Sequence, residues 1–96
     1  MGHYEDVIRR KDMIQHIATV HGAQKIRLFG SVIRGEERPE SDLDLLVEFE
    51  PGRSLIDHIG LIQDLQDLLN LKIDVVTEKG LNTHIRDQIL KEAIPL

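Results

Sequence analysis

The chain predicts a small mixed α/β domain, with three or four strands in one sheet flanked by helices. Three observations lead there. Short alternating apolar stretches stand between longer stretches with apolar residues three and four apart. Glycine or proline breaks separate them. The order reads helix, strand, strand, helix, strand, helix, and such an order buries one sheet under helices. At 96 residues the chain predicts a single domain over 1–96, with a modest core of its own.

From about Tyr4 to His21, Val7, Ile14, Ile17, Ala18 and His21 share one helical face, with Arg9, Arg10, Lys11 and Asp12 between them. Gly22 is a natural end to that helix. A first strand follows at about Lys25–Phe29, where Ile26 and Leu28 alternate with Lys25 and Arg27. Gly30-Ser31 ends it sharply, Val32 to Gly35 suits a helical turn, and Glu36 to Ser41 is a polar loop containing Pro39. The second strand is expected over Asp42–Glu50. Leu43, Leu45, Val47 and Phe49 make its core face, and Asp42, Asp44, Leu46 and Glu48 the other.

Pro51-Gly52 turns the chain, and Ser54 with Asp57 forms a capping-box pattern for a helix to about Asn70. Its wide apolar face comprises Leu55, Ile56, Ile59, Ile62, Leu65, Leu68 and Leu69, most of it expected in the core. A third strand, Lys72–Thr77, carries Ile73, Val75 and Val76 around Asp74. Gly80 and Asn82 belong to a loop. Asn82 or Thr83 caps a last helix to about Ala93, with Ile85, Ile89, Leu90 and Ala93 inward and Pro95 stopping it. The stretch between the second and third strands suits a parallel crossover, and the first two strands are close enough to pair directly.

Composition narrows the function. No cysteine is present, which excludes disulfides, thiolate chemistry and Cys-type zinc sites and fits a cytoplasmic setting. A net charge of -5 and three aromatic residues argue against direct nucleic-acid binding. No apolar run approaches a membrane span, so no membrane association is expected. The five histidines show no metal-ligand spacing and read as surface or packing residues.

The chemistry gathers between Gly30 and Asp74. Asp42 and Asp44, two apart on a strand, emerge on one face about 6.6 Å apart along the chain. From there carboxylates can lean together over a hard cation such as Mg²⁺. Asp74 lies among apolar strand residues and is expected to be buried, so it needs a partner. A metal shared with Asp42 and Asp44 would supply one. Gly30 and Ser31 can offer backbone N–H groups and a hydroxyl to a phosphate. Arg34, three residues on, is in reach of the same phosphates, although it also suits a solvated loop with Arg38, Glu36 and Glu37. Taken singly, Ser31 could be a helix cap and Asp42 a turn residue. Together, at this spacing, they point to a metal site. Glu48 shares the aspartate face but is expected in solvent.

Gly30-Ser31, ten residues, Asp42-Leu43-Asp44 and a later strand Asp74 resemble the signature of the DNA polymerase β-like nucleotidyltransferase superfamily. The form Gly30-Ser31-x-x-Arg34-Gly35-Glu36, the Ser41-Asp42-Leu43-Asp44-Leu45-Leu46-Val47 continuation and the Ile85–Leu96 segment are similar to its minimal nucleotidyltransferases (MNT), antitoxin partners of HEPN-domain toxins. The likeness covers essentially the whole chain. It implies the polymerase β-like fold, ATP as substrate and two Mg²⁺ ions. Gly30 and Ser31 would hold the β- and γ-phosphates. Asp42 and Asp44 would bind both ions, and Asp74 would bind one and help activate the acceptor. That acceptor would be a tyrosine hydroxyl of the HEPN toxin, in a hetero-oligomer with it. Two other readings stay open: an antitoxin acting by occlusion alone, and transfer to a nucleic-acid or small-molecule hydroxyl. The chain has little room for a domain to hold the latter.

Overall fold

The computed structural model describes residues 3–36, 38 and 40–96. Glu37 and Pro39, part of the expected polar loop, lie outside them. The elements run α1 (His3–Arg9), α2 (Lys11–Val20), β1 (Ala23–Phe29), α3 (Ser31–Arg34), β2 (Leu43–Phe49), α4 (Leu55–Leu69), β3 (Ile73–Thr77), a 3₁₀ turn at Glu78–Gly80, α5 (Thr83–Glu92) and β4 (Ile94–Pro95). The mixed α/β class holds, and the sheet has four strands in the order β3-β2-β1-β4. β1 runs antiparallel to β2 and β4, and β2 and β3 are parallel. The crossover through α4 therefore has its expected sense.

Register decides what each face carries. Leu28 pairs with Leu45, and Leu45 with Val75. This set, with Leu43, Val47 and Ile73, packs against Ile14 and Ala18 of α2 and Leu61 and Leu65 of α4 in the main core. On the other face Phe29 and Leu46 are buried beneath Ile89 of α5 in a second, smaller cluster. Burying both faces explains why Leu46 is buried although it shares a face with Asp44 and Glu48. Glu48 itself is exposed beside Lys25, at 3.7 Å.

Local signals act as their chemistry dictates. The Ser54 hydroxyl accepts from the Ile56 amide at 3.2 Å while the Asp57 carboxylate accepts from the Ser54 amide at 3.1 Å, closing the capping box. Asn82 caps α5 by accepting from His84 N–H. His21 meets Asp64 at 2.6 Å, and His58 donates to the Val75 carbonyl at 2.8 Å, so both are packing histidines.

Four expectations change. The first helix divides at Arg10, whose guanidinium donates to the carbonyl of Leu68 near the end of α4. Ile94–Pro95 does more than end a helix: it pairs with β1 as an edge strand, where proline's missing N–H is tolerated. Leu55, Ile56 and Ile59 are 70%, 81% and 47% exposed. A 15-residue helix spans about 22 Å, more than the roughly 17 Å of the five-residue strand β3 on which it packs, so its first turns overhang that strand. Ile85 is likewise exposed, near the start of α5. No helix among the described residues is long and apolar enough to cross a membrane.

Candidate active site

Three strands bring one row of residues to the end of the sheet: Phe29 on β1, Asp44 on β2 and Asp74 on β3. Asp44 and Asp74 are register partners on neighbouring strands, which places their backbones about 4.8 Å apart. Asp42 stands just ahead of β2. The parallel pairing reaches this point, since the Leu43 amide donates to the Lys72 carbonyl at 2.9 Å. All three acids therefore share one ledge.

Asp74 departs from the sequence expectation. It is exposed rather than buried, because β3 is an edge strand and its aspartate lies on the face that α5 leaves open at this end. The need for a partner to offset burial therefore falls on Asp44. That residue is half-buried, and its carboxyl is pushed up to about 6. Burial is the main cause, followed by the negative charges of Asp74 and then Asp42. Arg34 opposes the rise and Glu92 adds to it.

The acids' oxygens do not converge on one point: among the described residues no three acid or histidine side chains form a closed cation-binding group. Asp42 and Asp74 are both exposed to solvent. The donor set nonetheless suits Mg²⁺, which takes carboxylate oxygens together with water and phosphate. A cation here would also relieve the repulsion that raises Asp44.

The turn after β1 stands against this ledge. Gly30 has φ 81° and ψ -153°, a conformation almost confined to glycine. A Cβ on Gly30 would lie 2.2 Å from Asp44 Oδ2, so backbone conformation and close approach both require glycine. Ser31 opens α3 and is half-buried; neither its hydroxyl nor its N–H has a partner among the described residues. Arg34 ends α3. Its Nε donates to Glu36 at 2.8 Å, and its Nη1 lies 3.1 Å from both oxygens of Glu92. The two carboxylates hold the guanidinium charged, raising Arg34 above its ordinary value, with the Glu36 hydrogen bond the larger cause.

The structure thus brings Gly30, Ser31, Arg34, Asp42, Asp44 and Asp74 to one end of the sheet. It adds Glu92, which sequence reasoning passed over. Glu92 Oε2 accepts from the Gly30 N–H at 2.6 Å, across a separation that no local pattern reveals. The one available signal was its place in the Ile85–Leu96 segment.

Comparison with known proteins shows the family and the fold. Residues 11–96 match the model of the nucleotidyltransferase domain family. A Methanocaldococcus jannaschii protein named as a protein adenylyltransferase is 39% identical over 87 residues, covering 91% of each chain. The protein adenylyltransferase MntA of Thermococcus cleftensis is 37% identical over 89 residues, covering 84% of this chain and 90% of that one. A solved minimal nucleotidyltransferase superposes with a TM-score of 0.88 at 48% identity, over 100% of this chain and 97% of that one. The same fold recurs, at a TM-score of 0.66 and 22% identity, in the structure of a tri-AMPylated Shewanella oneidensis HEPN toxin in complex with MNT antitoxin, over 90% of this chain and 67% of that one.

Proposed function

Because this chain belongs to the nucleotidyltransferase domain family, we propose that it is an antitoxin that transfers AMP from ATP to a tyrosine hydroxyl of a partner HEPN toxin. The observation that carries this reading is the in-register pair Asp44 and Asp74, with Asp42 ahead of it and the Gly30-Ser31 turn against it. The names of the adenylyltransferase relatives and the HEPN–MNT complex support a HEPN protein as the acceptor. In this reading the protein meets its ATP and its toxin in the cytoplasm.

Each group has a task in an in-line transfer. Ser31, through its hydroxyl and N–H, and Arg34 hold the terminal phosphates and fix the leaving group. Asp42, Asp44 and Asp74 would hold two Mg²⁺, whose positive charge would offset the negative charge of the triphosphate and the charge developing at the α-phosphate. The acceptor oxygen forms the new bond to the α-phosphorus as the bond to the β-phosphate bridging oxygen breaks. Asp74, exposed at the rim, takes the hydroxyl proton, and pyrophosphate departs with the pair of electrons from the broken bond. Transfer of AMP then disarms the toxin.

The test is mass measurement of a HEPN protein, sought as the product of the neighbouring gene, after incubation with this protein, ATP and Mg²⁺. Increments of AMP mass are expected. Their absence, or their persistence with Asp42→Ala plus Asp44→Ala, refutes the reading. A second reading, inhibition by occlusion alone, draws on the exposed Leu55, Ile56 and Ile59. It requires that Asp44→Asn still neutralise the toxin fully.

A further inference from the structure

Glu92 ends α5 and touches the turn from the far end of the sequence. Its side chain is 24% exposed, against 64% for Glu36, the other acid on Arg34, so its contacts are the less screened by water. One oxygen, Oε2, accepts from both the Gly30 N–H and Arg34 Nη1. The Gly30 amide is therefore already engaged. Arg34 is held at Nε by Glu36 and at Nη1 by Glu92, while Nη2 has no partner among the described residues. The donors left without a partner among the described residues are Ser31 N–H, the Ser31 hydroxyl and Arg34 Nη2.

We propose that Glu92 is a positioning residue for the triphosphate: it fixes Gly30 in its left-handed conformation and aims Arg34 so that Nη2 and Ser31 meet the anion together. The inference rests on the phosphate-binding reading of the turn. Glu92 acts through Gly30 and Arg34 and touches no substrate. Its carboxylate suits this task because two acceptor oxygens can serve an amide and a guanidinium at once. An aspartate, one methylene shorter, would fail to span both.

The experiment measures Mg·ATP affinity by calorimetry without acceptor, KM for ATP and kcat in the transfer assay, and the melting temperature, for wild type, Glu92→Gln and Glu92→Ala. Loss of a charge-assisted hydrogen bond predicts about tenfold to hundredfold weaker ATP binding in E92A. KM for ATP rises in step, and KM for the acceptor is unmoved. E92Q falls between, since its amide oxygen still accepts from the Gly30 N–H. If E92A fails to fold, E92Q alone decides. Unchanged ATP affinity with a lowered melting temperature would reduce Glu92 to a fastening for α5 and overturn the proposal. Tighter ATP binding would overturn it too, by making Glu92 a competitor of the phosphates. If wild type binds ATP but modifies no protein, the transfer reading fails while the affinity series still decides the role of Glu92. If wild type binds no ATP, both fall.

Discussion

Asp44→Asn should stabilise the protein at neutral pH while removing its activity. The Asp44 carboxyl is raised from about 3.8 to about 6, so the folded chain binds its proton more tightly than the unfolded chain does. Between those values the native state carries more protons, and stability falls as pH rises through the window. Below 3.8 both states are protonated and no penalty remains; above about 6 the penalty is complete. Two pKa units correspond to roughly 3 kcal/mol. The side chain is only half-buried, and solvent screening reduces the effect to about 1 kcal/mol. Asparagine keeps the shape and loses the charge. In urea unfolding at pH 7.5, without divalent cations, the variant should gain about 1 kcal/mol, or roughly 4–8 °C in melting temperature. At pH 3.5 the gain should vanish. Mg²⁺ should narrow the gap by stabilising wild type more than the variant. A variant less stable than wild type at pH 7.5, or a gain equal at both pH values, would refute the electrostatic account of this ledge.

Gly30→Ala should lose about 2 kcal/mol or more, since this nearly glycine-only backbone conformation costs another residue about 1–3 kcal/mol and its methyl would overlap Asp44 Oδ2; denaturant unfolding reads the loss, and transfer should fail with it. Ser54→Ala removes one half of the α4 capping box and should cost about 1 kcal/mol, with KM for ATP unchanged because the cap lies away from the ledge. Leu61→Ala, in the main core, should cost about 2–5 kcal/mol. Ile56→Ser, on the overhang of α4, should change stability by no more than about 0.5 kcal/mol, measured in the same way. Chelation of divalent cations should abolish transfer, followed by the mass of the acceptor, and Mg²⁺ should restore it.

Much of this was legible in local chemistry. The capping box at Ser54 and Asp57, the break after Phe29 and the alternation of Leu43, Leu45 and Val47 are short-range signals, and each element they mark is present. The mixed α/β fold followed from their order. Asp42, Asp44 and the Gly30-Ser31 turn were legible because their spacing along the chain is itself the constraint. What escaped depends on the sheet. The position of β3 at an edge exposes Asp74, and its sequence neighbours Ile73 and Val75 say nothing of that. The pairing of Ile94–Pro95 with β1 has the same origin, as does the overhang of Leu55 and Ile56: each is set by which strand stops where. Helical periodicity records which residues share a face, not whether anything lies opposite.

The same dependence explains why Glu92 could not be read from its own segment. Its neighbours Ile89 and Leu90 anchor α5 on the second cluster with Phe29 and Leu46, and Phe29 is the residue directly before Gly30. Packing of α5 on the strand end therefore sets the distance between Glu92 and the Gly30 amide. The apolar contact and the polar one are two parts of a single device: the first places the helix end, and the second holds the turn that it reaches. A cavity at Ile89 should loosen the turn without touching any polar group of the site. Ile89→Ala is accordingly expected to weaken ATP binding in the same direction as Glu92→Ala, besides a stability loss of about 2–5 kcal/mol. Calorimetry on the folded fraction separates the two effects, and unchanged affinity there would show that the turn holds its shape without α5.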